Sequence, residues 1–236
     1  MTPADRTLID KLVLANRILY RQGVVDGFGH VSVRHDQSPD HFLLARNMAP
    51  ALVRREDIVT FDLDGAALDA AGRRVYLERF IHGEIYRARP DVQAVVHSHS
   101  PNVIPFGVTG TPLQPVFHMS GFLAEGSALF EIRDVAGDTD MLISNGSLGA
   151  ALATALGSRS AVLMRGHGST VIGASLEQAV YRAIYAEVNA RLQTQAKQLG
   201  EVTYLNPAEA AKAAAINDTQ LPRVWELWAR EIGAVE

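Results

Sequence analysis

The chain has 236 residues, 47% of them hydrophobic and 20% charged, and a formal net charge of −4. That length fits one well-buried core, so a single domain over residues 1–236 is expected. Mild acidity without a basic stripe argues against nucleic acid and anionic membranes as partners, and the lack of cysteine removes disulfides, thiolate metal sites and a cysteine nucleophile.

Thr2-Pro3-x-Asp5 reads as a helix start, with a capping hydroxyl and proline at the first helical position. Nothing here resembles the apolar core of a signal peptide, and no apolar run reaches the ~18 residues of a membrane span, so a cytoplasmic location is expected. Leu8, Leu12, Ala15 and Leu19 recur at helical spacing and predict a helix to about Arg21, ended by Gly23. Gly27-Phe28-Gly29-His30-Val31-Ser32-Val33-Arg34 passes from a glycine turn into a strand pattern. Residues 41–45 and 57–63 read as further strands, with Asp64-Gly65 as a hairpin turn, giving an antiparallel first third. His35 and His41 flank a polar turn and are expected to face solvent.

From Leu77 to Arg89 the period is helical, with Leu77, Ile81, Ile85 and Ala88 on one stripe and Glu78 and His82 neighbours on another. Pro90-Asp91 breaks it, and Ala94-Val95-Val96-His97-Ser98-His99 follows. An apolar run ending in His-x-His reads as a strand that delivers two imidazoles to one face, because strand side chains alternate. Residues 101–135, rich in Gly and Pro, read as loops with short strands. A small-residue helix is predicted from Asn145 to Leu156, then strands at 161–164 and 169–172 around Arg165-Gly166-His167-Gly168. Ser175 opens a long helix to about Leu199, and residues 207–233 hold two short helical segments. Trp225 and Trp228, three apart, read as core or subunit contact.

His97, His99 and His167 with the acidic Glu78 make a plausible divalent-metal set. These residues, in the order Glu78-x-x-x-His82, His97-Ser98-His99 and Gly166-His167-Gly168, resemble the class II aldolase/adducin family. The Gly29–Arg34 stretch matches that family's glycine-rich strand entry, and the match runs from about residue 8 to 200. The resemblance implies an α/β fold, an αβα sandwich around a mainly antiparallel central sheet. It also implies a homotetramer with sites at subunit interfaces, His97, His99 and His167 as metal ligands, and Glu78 as a catalytic carboxylate that can also touch the metal.

Where the family's sugar-phosphate aldolases hold phosphate with small hydroxyls, this chain reads Ala45-Arg46-Asn47-Met48-Ala49-Pro50 and Tyr76-Leu77-Glu78-Arg79. Arginine pairs bidentately with carboxylates, so Arg46 and Arg79 together point to a carboxylate substrate without phosphate, the alternative for each being a surface charge or a helix-capping ion pair. The pattern most resembles decarboxylases of hydroxylated aromatic dicarboxylates. Examples are those acting on 3-hydroxy-2-methylpyridine-4,5-dicarboxylate in pyridoxine degradation and on hydroxyphthalates. Manganese is the expected metal, with zinc the alternative. Glu78 is the candidate proton donor and His82 its candidate partner in catalysis, while His30, His118 and Tyr204 are further substrate-binding candidates. The competing readings are retro-aldol cleavage of an unphosphorylated sugar or hydroxy acid, and a non-catalytic adducin-like binding module.

Overall fold

The structure is a computed structural model and describes residues 3–233. The predicted capping residue Thr2 lies outside them. Helix α1, Arg6–Arg21, is capped instead by Asp5, whose carboxylate accepts the Thr7 N–H at 2.6 Å. The helix therefore starts later than Thr2-Pro3 suggested, because the aspartate three residues on satisfies the free amides of its first turn.

Seven strands form one sheet: β1 His30–Arg34, β2 His41–Ala45, β3 Ile58–Asp62, β4 Ala94–Ser98, β5 Ala128–Phe130, β6 Ala161–Met164 and β7 Gly168–Gly173. Their order is β3-β2-β1-β4-β7-β6-β5, and every pairing is antiparallel except β5 with β6. The remaining helices are α2 Arg79–Ala88, α3 Ile104–Val108, α4 Arg133–Ala136, α5 Gly146–Leu156, α6 Leu176–Leu199, α7 Pro207–Asp218 and α8 Leu221–Ile232. Among the described residues no helix is long and apolar enough to cross a membrane.

Period-two alternation sorts the strand residues between two cores. Val31, Val33, Ala94, Val96 and Val171 join α1, α6 and α8 on one face. Phe42, Leu44, Val95, Val162 and Ile172 join α2 and α5 on the other. The result is the expected αβα layering. Trp228 is buried in the first core with Trp225 packed against it.

Some local expectations need correction. Leu77 and Ala88 are exposed, since α2 begins only at Arg79 and buries Ile81 and Ile85. His35 is buried rather than solvent-facing, and its Nδ1 accepts the Gln37 N–H. The 101–135 stretch holds the strand β5 but also α3, α4 and a 3₁₀ turn at His118–Leu123. Elements of four to six residues are too short to show a helical period.

Candidate metal centre

Four side chains meet where the sheet's second face runs under the start of α2. His97 is the fourth residue of β4, two after Val95, and therefore faces the α2 layer. His99 lies just past the end of β4 at Ser98, so the strand does not carry both imidazoles as the sequence suggested. Its ring still comes back beside its neighbour, with Nε2 atoms 3.3 Å apart. His167 sits in the β6–β7 turn, closed by the His167 N–H donating to the Met164 carbonyl at 3.0 Å. Gly166 takes φ 65° in that turn, a value that suits glycine. Glu78 occupies the residue before α2.

One ligand atom from each of Glu78, His97, His99 and His167 lies within 4.8 Å of all the others. His99 and His167 bring Nε2 atoms to 3.1 Å, and Glu78 Oε2 stands 3.6 Å from Nε2 of both His97 and His167. The His167 Nδ1–H donates to the Met141 carbonyl at 3.1 Å, so its Nε2 presents a lone pair to the cluster. Converging lone pairs beside a carboxylate repel one another and are reconciled by a cation. The donor set of three imidazoles and one carboxylate fits a divalent metal ion of the zinc or manganese kind.

The surrounding loop reinforces this arrangement. Glu78 Oε1 accepts the Ile143 N–H at 3.0 Å, leaving Oε2 for the histidines. Burial pushes the Glu78 carboxyl above the usual carboxylate range, opposed by His167 and by the Ile143 amide. Burial likewise pushes His97 and His30 well below the ordinary imidazole value, with neighbouring imidazoles adding to the effect.

The other sequence candidates divide. His30, paired in register with His97 across β1 and β4, packs its ring 5.0 Å from that of His97. His82 has no exposed surface and bonds His30, ring nitrogen to ring nitrogen, at 2.7 Å. It therefore stands behind His30, and no hydrogen bond joins it to Glu78 among the described residues. The Arg46 Nε–H donates to Asp57 Oδ1 at 2.7 Å. The Arg79 guanidinium donates to the carbonyls of Gly65 and Tyr76 and lies over the Phe80 ring. His118 shares a groove with Met119, Tyr185 and Asn217, and the Tyr204 hydroxyl accepts from Gln193 Nε2 at 3.2 Å. None of these four is among the clustered ligands.

Sequence reading missed Ser32 and Tyr86, which complete a buried hydrogen-bonded group with His82. The signal was available as spacing: His30 and Ser32 are two apart on β1, and His82 and Tyr86 four apart on α2. Phe28, whose ring lies 6.4 Å from that of His99, is 70% exposed.

Residues 10–194 match the family described as Class II Aldolase and Adducin N-terminal domain. A curated relative, the decarboxylase tropJ of Talaromyces stipitatus, is 38% identical over 91% of this chain and 90% of its own length. The 3,4-dihydroxyphthalate decarboxylase of Arthrobacter keyseri is 35% identical over 81% of this chain and 79% of its own. Among solved structures, L-fuculose 1-phosphate aldolase from Glaciozyma antarctica superposes with a TM-score of 0.77 at 25% identity. That similarity covers 97% of this chain and 93% of the aldolase.

Proposed function

Because the chain belongs to the class II aldolase and adducin family, we propose that it is a carbon–carbon lyase that decarboxylates a hydroxylated aromatic dicarboxylate. The observation that carries this reading is the four-ligand cluster with Glu78 in it, on a chain whose curated relatives at 38% and 35% identity are decarboxylases. The substrate we favour is 3-hydroxy-2-methylpyridine-4,5-dicarboxylate, with hydroxyphthalates next.

His97, His99, His167 and Glu78 would hold a divalent ion, manganese by preference. When bound, that ion supplies positive charge beside the breaking bond and steadies the negative charge that develops on the adjoining oxygen. Glu78, freed from the ion once substrate occupies the site, gives a proton to the ring carbon. The bond from that carbon to the departing carboxylate then breaks, its electron pair returns to the ring, CO2 leaves, and Glu78 regains a proton from water. His30, beside His97, meets the substrate. The Arg46, Arg79 and Tyr204 side chains are bonded to partners in their own chain and His118 lines a separate groove, so this reading gives them no substrate contact within one protomer. We read the protein as a homotetramer, supported by the exposed Phe28 and Leu77 at the rim of the cluster, apolar side chains that a neighbouring subunit would cover.

The same ligands would serve retro-aldol cleavage, and the similarity to L-fuculose 1-phosphate aldolase makes that the second reading. The test is CO2 release from 3-hydroxy-2-methylpyridine-4,5-dicarboxylate and from 3,4-dihydroxyphthalate by metal-stripped protein, before and after adding Mn²⁺. Release restored by Mn²⁺ is the expected result. Failure on both substrates, with metal bound, would move the reading to retro-aldol cleavage.

A further inference from the structure

Behind the ligand cluster runs a line of four buried side chains. Tyr86 Oη lies 2.8 Å from Ser32 Oγ, Ser32 Oγ lies 2.6 Å from His82 Nδ1, and His82 Nε2 lies 2.7 Å from His30 Nδ1. Ser32 and His82 have no exposed surface, Tyr86 keeps 1% and His30 4%. The line exists because the β1 residues facing α2 fall every second position while the α2 residues facing β1 fall every fourth. His30 and Ser32 thus meet His82 and Tyr86.

Such a chain can point its hydrogens either way, and the far end decides which. The Tyr86 hydroxyl must donate its hydrogen, and among the described residues Ser32 Oγ is its one acceptor, since the Val95 amide beside it can only donate. Ser32 then has one hydrogen and one remaining partner, and it donates to His82 Nδ1. No carboxylate bonds either ring among the described residues, so both are neutral. His82 therefore carries its hydrogen on Nε2 and donates it to His30 Nδ1. His30 is left with its own hydrogen on Nε2. The opposite polarity would strand the Tyr86 O–H in the core without an acceptor.

We propose that Tyr86, Ser32 and His82 are positioning residues that hold His30 as an Nε2–H donor beside His97, so that the site takes an acceptor oxygen of its substrate there. The substrate class, an anionic carboxylate or phenolate oxygen at that place, rests on the decarboxylase reading. The tautomer does not. A substrate offering an N–H donor without a lone pair at the same place would meet a donor with a donor and be disfavoured.

The experiment is long-range ¹H–¹⁵N NMR on ¹⁵N-histidine-labelled protein loaded with Zn²⁺, with the two rings assigned from His30→Gln and His82→Gln. The spectrum of the unaltered protein is expected to show His30 and His82 both as Nε2–H tautomers. Ser32→Ala should release that preference and lower kcat/KM by about tenfold, in the range for partners that orient a site histidine, while Ser32→Thr should restore both. An Nδ1–H form of His30 in the unaltered protein would overturn the proposal, as would Ser32→Ala with both tautomers unchanged. Tautomers as stated, with no CO2 released from any substrate tried, would uphold the chain and remove the decarboxylase reading alone.

Discussion

His82 sits where a positive charge is hardest to hold. It has no exposed surface, it faces His30, Ser32 and the stacked Phe42 ring, and burial pushes its pKa down to about 3. In the unfolded chain the same ring titrates near its ordinary value of about 6.5, so below that value the unfolded state takes up a proton that the folded state refuses. The stability this group contributes is complete above about pH 6.5 and falls, by about 1.4 kcal/mol per pH unit, as pH drops toward about 3. Melting temperatures at pH 7.5 and 5.5 should therefore differ more for the natural protein than for His82→Gln. Equal differences would assign the acid sensitivity to other groups. At this scale the imidazoles were legible in the sequence because few side chains besides histidine bind metals in such spacing. Ser32 and Tyr86 were not, since a serine in a strand and a tyrosine in a helix look ordinary until the two elements are seen to cross. The Met141 carbonyl and the Ile143 amide were beyond reach, because backbone groups carry no identity in a sequence.

The ligands inherit their precision from the elements that carry them. The β6–β7 hairpin brings Gly168 against β4 so closely that a Cβ there would lie 2.2 Å from the Ser98 carbonyl oxygen. No rotamer change relieves that contact, as both parties are backbone. Gly168→Ala should shift β7 away from β4, lower stability by about 1–3 kcal/mol, and weaken metal binding through His167, its neighbour. Denaturant titration and a chelator competition measure the two effects. A stability loss with unchanged metal affinity would show that the turn holding His167 moves independently of β7. The long helices and most strands were readable from period and capping residues, as with Ser175 before α6, whose side chain accepts the Gln178 N–H. The three-residue β5 and its parallel pairing with β6 were not, because so short a segment has no period and its partner is chosen by the surrounding packing.

For the whole molecule, the exposed Phe28 and Leu77 near the cluster bear on assembly. Light scattering should give four times the mass of the chain, and Phe28→Asp should lower that mass. A monomer of full activity would remove the subunit-interface reading. The layered architecture has a separate consequence. The three imidazoles ride on the sheet and its adjoining turns, while the carboxylate rides on α2, which packs against α5 through Gly149; a Cβ on that glycine would lie 2.5 Å from the Phe80 carbonyl oxygen, two residues from Glu78. The centre is thus a pair of calipers, one jaw in each layer, and the glycine contact between two helices of the same layer sets where along the sheet the Glu78 jaw sits. Gly149→Ala, which alters no ligand, should slide α2 along the sheet, move Glu78 relative to the imidazoles, and shift the ranking of Zn²⁺ against Mn²⁺ in a chelator competition. Affinities reduced equally for both ions would mean that Glu78 is placed by the Ile143 amide and not by the packing of α2 on α5.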